Sequence, residues 1–460
     1  MQEKKSSAAE KVSLSFLAPT VTAGGGRRWI YPERRKKGSR ISLRKYLAVA
    51  LMFIYCSVPF LELDGRPLLQ ISIEEQKIYF FAQVLRFHEI HLLVYLLLAA
   101  GFLLFLTTAV AGRLWCGLAC PQTVFLDWLI RPIEELCEGN ASKRKIADQK
   151  KSFSPLYILK KFIKHLSFAC IAWIIANIFL AYFVHWRTLS HWLNSSPFDH
   201  PGGFSVMAFL WLVFYLDFSW FREQFCSFLC PYARFQSLLI DEKTPVVSFD
   251  KTRGEPRGKK AAGDCIDCGF CVRVCPTGID IRNGIQLECI QCFRCADACD
   301  EIMLNLNRPL GLVRQASEQE LQTQKKAKLR DVLRPRVLFY AVTVLVISLI
   351  FIYKISTRSL LTLNFNRPKG TLTSTLPDGR VAHIFEVHAI SNFRESLNLN
   401  LELVEPRGAE LICGPCLKGE MIPFGETRFM LMVMPSQTNQ DKTLILRHKS
   451  HPELVWKMPL

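Results

Sequence analysis

Five apolar runs divide the chain, at 46–63, 89–111, 162–184, 204–221 and 336–353. Each is long enough to cross a hydrocarbon core as a helix, which takes about 20 residues. The first lies behind a basic stretch, carries Glu62 and Asp64 at its far end, and has no small-x-small cleavage site. It reads as a retained span and not as a signal peptide. Between spans two and three, 123–160 alternates apolar and charged residues. Within it "VFLDWLIRPIEEL" (124–136) predicts an amphipathic helix on the inner membrane face. The charge-rich 318–334 predicts a solvated helix leading into span five. Beyond 354 the pattern shortens to alternating stretches: "HIFEVHAI" (383–390), "LNLNLELV" (397–404), "RFMLMVMP" (428–435) and "TLILRHKS" (443–450), with turn signals at "PDG" (377–379) and "PRG" (406–408). Short strands so spaced predict an all-β sandwich, read as a docking module with a stabilising cap as the alternative. Residues 1–26 have the Ser, Ala, Gly and Lys content of a disordered tail.

Charge orients this pattern. Half of the 460 residues are hydrophobic, yet the net charge is +18. Lys and Arg number 12, 10 and 19 in 1–45, 112–164 and 222–336, against 3 and 1 in 64–88 and 185–203. The positive-inside rule then puts the N-terminus and 222–336 in the cytoplasm, and 354–460 outside. The 13 basic residues of 354–460 belong to a long domain, to which the rule gives little weight. The basic excess is thus assigned to loops at a membrane, with lipid as partner and no nucleic acid. The expected organisation is a basic cytoplasmic tail (1–45), four transmembrane helices (46–240), a cytoplasmic ferredoxin-like domain (241–335), a fifth transmembrane helix (336–353) and an outer β-domain (354–460).

Seventeen cysteines change the picture most. Residues 265–300 read "CIDCGFCVRVCPTGIDIRNGIQLECIQCFRCADACD". Cys265, Cys268, Cys271 and Cys275, then Cys289, Cys292, Cys295 and Cys299, each have the spacing C-x2-C-x2-C-x3-C. This is the bacterial ferredoxin run for [4Fe–4S] clusters, in which the fourth cysteine serves the other cluster. One cluster is therefore assigned to Cys265, Cys268, Cys271 and Cys299, and the second to Cys289, Cys292, Cys295 and Cys275. Zinc also uses CxxC pairs, but the duplicated fourth cysteine argues against it. Pro276 follows Cys275, whereas Asp300 follows Cys299 and brings a negative charge toward the first cluster.

Spans two and four each end in a Cys-x-x-x-Cys-Pro: "WCGLACPQ" (115–122) and "FCSFLCPY" (225–232). Cys116 and Cys120, like Cys226 and Cys230, would share a helix face if the helix continued through them. Pro121 and Pro231 would then end or redirect it. Four thiols at one membrane face could hold copper, since soft thiolates suit Cu(I), or cycle between dithiol and disulfide; helix-end packing is the alternative. The "CGPC" pair Cys413 and Cys416 reads as plain structure, with a disulfide or a Cu(I)-binding thiol pair as the alternatives. No βαβ pattern surrounds it, so a thioredoxin fold is not expected. His88, His91, His185, His191 and His200 fall at the outer side, as interfacial anchors or as haem or copper ligands. Met52 and Met207 read as span packing.

The run "CPTGIDIRNGIQLECIQC" (275–292), the two CxxxCP motifs and the five spans resemble the FixG/CcoG/RdxA family from about residue 27 onward. That resemblance implies a membrane polyferredoxin accessory to assembly of cbb3-type cytochrome c oxidase, an immunoglobulin-like domain after the last span, and a place in the bacterial inner membrane. It implies reduction of Cu(II) to Cu(I), so the reading leans toward an enzyme, with two [4Fe–4S] clusters as cofactors and copper as substrate. Oxidase assembly factors, copper chaperones and a cytoplasmic electron donor are the implied partners, and a homodimer stays open. The CxxxCP pair is shared with quinol-dehydrogenase components of the NapH and NosR kind, which is the rival reading. A non-catalytic assembly scaffold or copper carrier is a third.

Overall fold

The computed structural model describes residues 27–359 apart from 35–37, 64, 82, 87–88, 151–153, 259–260, 287 and 326–332, and beyond 360 the strands given below. It consists of two units, Met1–Phe351 and Ile352–Leu460.

Five helices are long and apolar enough to cross a membrane: Arg40–Phe60, Ile90–Ala111, Pro155–Leu180, Pro201–Phe221 and Pro335–Ser356. They coincide with the five apolar runs, but spans one and three start earlier than hydropathy places them. Their N-terminal halves carry basic residues that have carboxylate partners. Arg44 Nη2 lies 3.0 Å from Asp127, and Lys164 Nζ lies 2.9 Å from Glu138. Lys and Arg are good helix formers, so a basic residue interrupts the apolar run without ending the helix. Spans three and four pack through Phe168, Ala172, Ile175 and Phe218. The small Ala172 lets the neighbouring helix approach closely. Elsewhere the spans expose leucine, valine and phenylalanine, and none of span five's apolar window is buried in the protein.

Residues 64–88, read from sequence as a plain loop, hold a three-stranded antiparallel sheet: Leu69–Ser72, Lys77–Phe80 and Gln83–Arg86. Its register pairs Ile71 with Ile78 and Ile78 with Leu85, so apolar side chains share one face. Alternation either side of "EEQ" was the available signal.

The stretch 124–136 departs from its expected place. Pro121–Phe125, Leu126–Ile130 and Arg131–Glu138 form one helical run. It is packed inside the protein and does not lie on a membrane face. Phe125, Leu126 and Ile130 join the core of spans three and four. Its charged face is buried as well: Asp127 and Arg131 are each 2% exposed and Glu134 4%. An amphipathic pattern marks one apolar and one charged face; it does not say that the charged face meets water. Of 318–334, Glu318–Thr323 is helical, capped by Ser317 Oγ accepting from the Glu320 N–H at 3.1 Å; 326–332 lie outside the described residues.

In the ferredoxin segment, Val246–Phe249 pairs antiparallel with Val313–Ala316. The helices Phe270–Arg273 and Arg294–Asn305 lie between those strands in sequence. Val247, Phe249, Ile279, Ile281, Ala296, Met303 and Leu312 pack into a core that includes Cys265 and Cys275.

The unit from Ile352 carries strands in three antiparallel sheets. Val381–Ser391 pairs with Leu361–Asn366, Thr373–Thr375 and Glu426–Met434, and the last of these with Glu410–Ile412. Leu401–Glu405, Thr443–His448 and Val455–Pro459 form a second sheet, Leu397–Asn398 and Glu420–Met421 a third. The expected strands at 383–390, 428–435 and 443–450 are present, and 397–404 is divided in two. The "PDG" and "PRG" turns lie outside the described residues.

Candidate metal centre

Each ferredoxin loop turns on residues flanking its second cysteine. Asp267 and Gly269 flank Cys268 with φ of 57° and 65°; Gln291 and Phe293 flank Cys292 with 52° and 59°. Left-handed backbone on both sides of one residue reverses the chain tightly, at a cost that only Gly269 avoids. The reversal turns three thiols of each run toward one another. The fourth crosses over: Cys299 is in electrostatic reach of Cys271, Cys265 and Cys268. Cys275 is in reach of Cys292, and both Cys289 and Cys295 of Cys275 and Cys292. A cavity lies among Cys275, Cys289, Cys292 and Cys295.

This donor set fits [4Fe–4S] clusters. Burial pushes the thiols up, Cys271 to about 11 and Cys289 and Cys299 to about 12. Such thiols ionise when a metal supplies the positive charge. Backbone N–H groups of Thr277 and Ile279 point at Cys275, and that of Gln291 at Cys289, where they would stabilise thiolates. Among the described residues, no three His, Cys, Asp or Glu side chains close on a single ion.

The two CxxxCP motifs are built alike, but not as continuous helices. Span two stops at Gly112, φ 68°, and span four at Arg222, φ 53°. A short helical turn follows each, Leu114–Leu118 and Phe225–Leu229. Cys120 and Cys230 then leave the helix with extended backbone (ψ 125° and 111°), and Pro121 and Pro231 begin new helices. The proline thus starts a helix where its missing N–H costs nothing. The shared face expected of an i, i+4 pair is replaced by a break at the second cysteine. The breaks leave Cys226 in electrostatic reach of Cys120, Cys116 and Cys230, although no three of the four close on a single ion. Burial pushes Cys116 up to about 12 and raises Cys120 and Cys226. Cys116 Sγ donates to Gln236 Oε1 at 3.5 Å, while Gln236 Nε2, in a fully buried side chain, has no partner among the described residues. A metal-bound thiolate would instead accept from that amide turned over, satisfying the donor.

This thiol group sits against the second cluster loop. A Cβ at Gly117 would stand 2.5 Å from the Gln291 carbonyl oxygen and 2.6 Å from that of Ile290. Arg113, 5% exposed, is in electrostatic reach of both Cys116 and Cys289. Buried ion pairs hold the arrangement. Asp127 meets Arg44 at 3.0 Å and Arg294 at 3.2 Å, and also Arg131. Arg44 Nε donates to the Gly117 carbonyl at 3.1 Å, and Arg131 to that of Pro276 at 3.3 Å. Burial alone would raise the Asp127 carboxyl; the guanidiniums of Arg294, Arg131 and Arg44 outweigh it and hold it well below the carboxylate range. Glu134, held at about 2 against its own burial, joins Arg222 (2.7 Å) to Arg144 (2.6 Å). Sequence reading missed Arg113, Asp127, Gln236 and Arg294. Their signal was charge or amide beside a metal motif, which has no fixed spacing.

The other candidates are dispersed. The charge of Asp300 is met by Arg40 at 3.0 Å. His191 and His200 approach each other with ring centroids 5.5 Å apart. His185 stands 3.6 Å from Glu62, and His91 packs on Tyr95. Met52 packs on the core of spans three and four, and Met207 is buried between them. His88, Cys413 and Cys416 lie outside the described residues.

Comparison with known proteins is consistent with this centre. A 4Fe-4S dicluster domain matches residues 221–261 and 255–318, and a 4Fe-4S binding domain matches 92–146. Protein RdxA of Cereibacter sphaeroides is 33% identical over 371 residues, covering 78% of each chain. Protein RdxB of the same organism is 34% identical over 383 residues, again 78% of each. Nitrogen fixation protein FixG of Rhizobium meliloti is 36% identical over 320 residues, 65% of this chain and 60% of FixG. No solved structure matches. With five membrane-length helices and its 4Fe-4S domains, the chain belongs to the FixG/RdxA family of membrane iron–sulfur electron-transfer proteins.

Proposed function

We propose that the chain reduces Cu(II) to Cu(I) at Cys116, Cys120, Cys226 and Cys230, in support of assembly of a cbb3-type oxidase. The observation that carries this reading is that four thiols from two repeats lie within electrostatic reach of one another beside the Cys289–Cys292 loop. Cys265, Cys268, Cys271 and Cys299 are proposed to hold one [4Fe–4S] cluster, and Cys275, Cys289, Cys292 and Cys295 the other. Bound clusters supply single electrons, and Cu(II) needs one to become Cu(I). The thiolates bind the product preferentially, because soft sulfur favours Cu(I) over Cu(II). Arg113 offsets their charge. The ferredoxin segment is placed in the cytoplasm, and the unit from Ile352, read as an immunoglobulin-like sandwich, on the periplasmic side.

Anaerobic Cu(II) reduction by the purified, reduced protein tests the reading. Replacing Cys116 and Cys120 with Ala, or Cys226 and Cys230, should leave cluster absorption intact and lower reduction at least about tenfold, the loss expected with the ligands of the substrate ion. Normal reduction by both double variants would move the copper site elsewhere. Stoichiometric copper binding without repeated turnover would make the protein a carrier.

A second reading rests on the 92–146 match. Its cysteines in this chain are Cys116, Cys120 and Cys137, so the CxxxCP thiols could hold iron–sulfur in place of copper. Iron analysis decides: two clusters need about eight irons per chain and a third about twelve.

A further inference from the structure

A second site lies against the end of the first cysteine run, at the loop that carries Cys275. A half-open cavity of about 1220 Å³ is lined by residues 28–33, the 131–149 helices, the facing ends of spans three and four, and the loop that carries Cys275. It is larger than the roughly 300–1,000 Å³ of typical small-ligand sites. Residues 27–33 close it like a strap. Tyr31 OH donates to Asp148 at 2.7 Å, the Glu33 N–H donates to the Arg273 carbonyl at 3.0 Å, and Ile30 packs on Gly278.

We propose that this cavity binds a phosphate-bearing flavin of the flavin mononucleotide class. Three observations select that chemistry. First, seven lysine and arginine side chains line the cavity against four carboxylates. The carboxylates are all engaged: Glu134 by Arg222 and Arg144, Glu138 by Lys161 and Lys164, Asp148 by Lys161, and Glu33 by Arg273. Arg28 and Lys145, both exposed to the cavity, are the surplus. A phosphate would match them. Second, Trp29 and Trp220 line the same space while 43% and 50% exposed, so ring surface is left for a planar ligand. Arg27 sits between them, 3.8 and 5.5 Å from the ring centroids, with buried Nε and Nη1 that have no partner among the described residues. Third, Cys275 is part of the wall. A ligand there touches the residue proposed to hold the second cluster. Iron–sulfur clusters exchange electrons singly, as flavins can; a nicotinamide transfers hydride.

The test is titration of flavin mononucleotide into the purified full-length protein in detergent, read by quenching of flavin fluorescence. Saturable binding near one flavin per chain is expected, with riboflavin, which lacks the phosphate, at least about tenfold weaker. The Arg28→Glu/Lys145→Glu variant should also bind at least about tenfold more weakly, with iron content and cluster absorption unchanged to show that it is folded. Absence of saturable quenching overturns the proposal, as does equal binding of riboflavin or of the variant. Mixed micelles containing phosphatidylglycerol form the other arm. If that lipid co-purifies at about one per chain and displaces the flavin, the phosphate site belongs to a lipid headgroup and the flavin assignment fails. Copper enters none of these measurements, so failure here leaves the copper reading standing.

Discussion

The carboxylate of Asp127 joins more of the molecule than any single cysteine. It meets Arg44 from span one, Arg131 from its own helix and Arg294 from the second ferredoxin loop. Asp127→Asn would leave three guanidiniums buried with one charge fewer, and breaking such a network costs about 3–5 kcal/mol. We expect a lower thermal midpoint and easier loss of the second cluster, read by melting and by absorption. Glu134 sets a pH limit in the same region. Its pKa falls from 4.5 unfolded to about 2 folded. A depressed carboxylate stabilises fully above its unfolded value and loses that contribution as pH falls toward its folded one. Denaturation midpoints of metal-free protein should therefore hold above about pH 4.5 and decline between there and about pH 2; Glu134→Gln should remove that part of the slope. At the cysteines, Cys275→Ser should damage the cluster of the second run and spare the one proposed at Cys265, Cys268, Cys271 and Cys299. Electron paramagnetic resonance of the reduced variant should keep one cluster signal; loss of the Cys265-run signal instead would reverse the crossed assignment.

Among the elements, the break at each CxxxCP matters more than the helix before it. Pro121 and Pro231 start new helices, so Cys120 and Cys230 have extended backbone where a helix would have carried them away from their partners. Pro121→Ala restores an N–H and lets the helix run through Cys120. Copper reduction should fall several-fold while span insertion, measured by membrane fractionation, stays normal. An unchanged rate would mean that Gly112 and the buried contacts of Gly117 alone place the thiols. Element identity was well marked in the sequence where one pattern dominated. Five long apolar runs are hard to misread. The helix 121–138 was misplaced because its charges have partners contributed by residues as distant as Arg44 and Arg294. The sheet at 69–86 was missed because its strands are four residues each, too short for alternation to stand out.

For the whole molecule, the basic-residue asymmetry predicts that the ferredoxin segment and the 112–154 connection share the inner side. A single cysteine placed at Ser195, in a background lacking Cys413 and Cys416, should label from outside, and one at Ser142 should not. The reverse result would invert the topology. The sequence alone determined the spans and the cluster motifs, because hydrophobic length and C-x2-C-x2-C-x3-C spacing are local properties that no later folding step rewrites. Only the tertiary structure decided which thiols meet. The two CxxxCP motifs are separated by more than a hundred residues, and span ends, a break at each proline and a buried Asp127–arginine network bring their thiols within electrostatic reach of one another. The cavity beside Cys275 was likewise invisible beforehand. Its walls come from five separate stretches of chain, and the charge excess that defines it appears only after each carboxylate has found its partner.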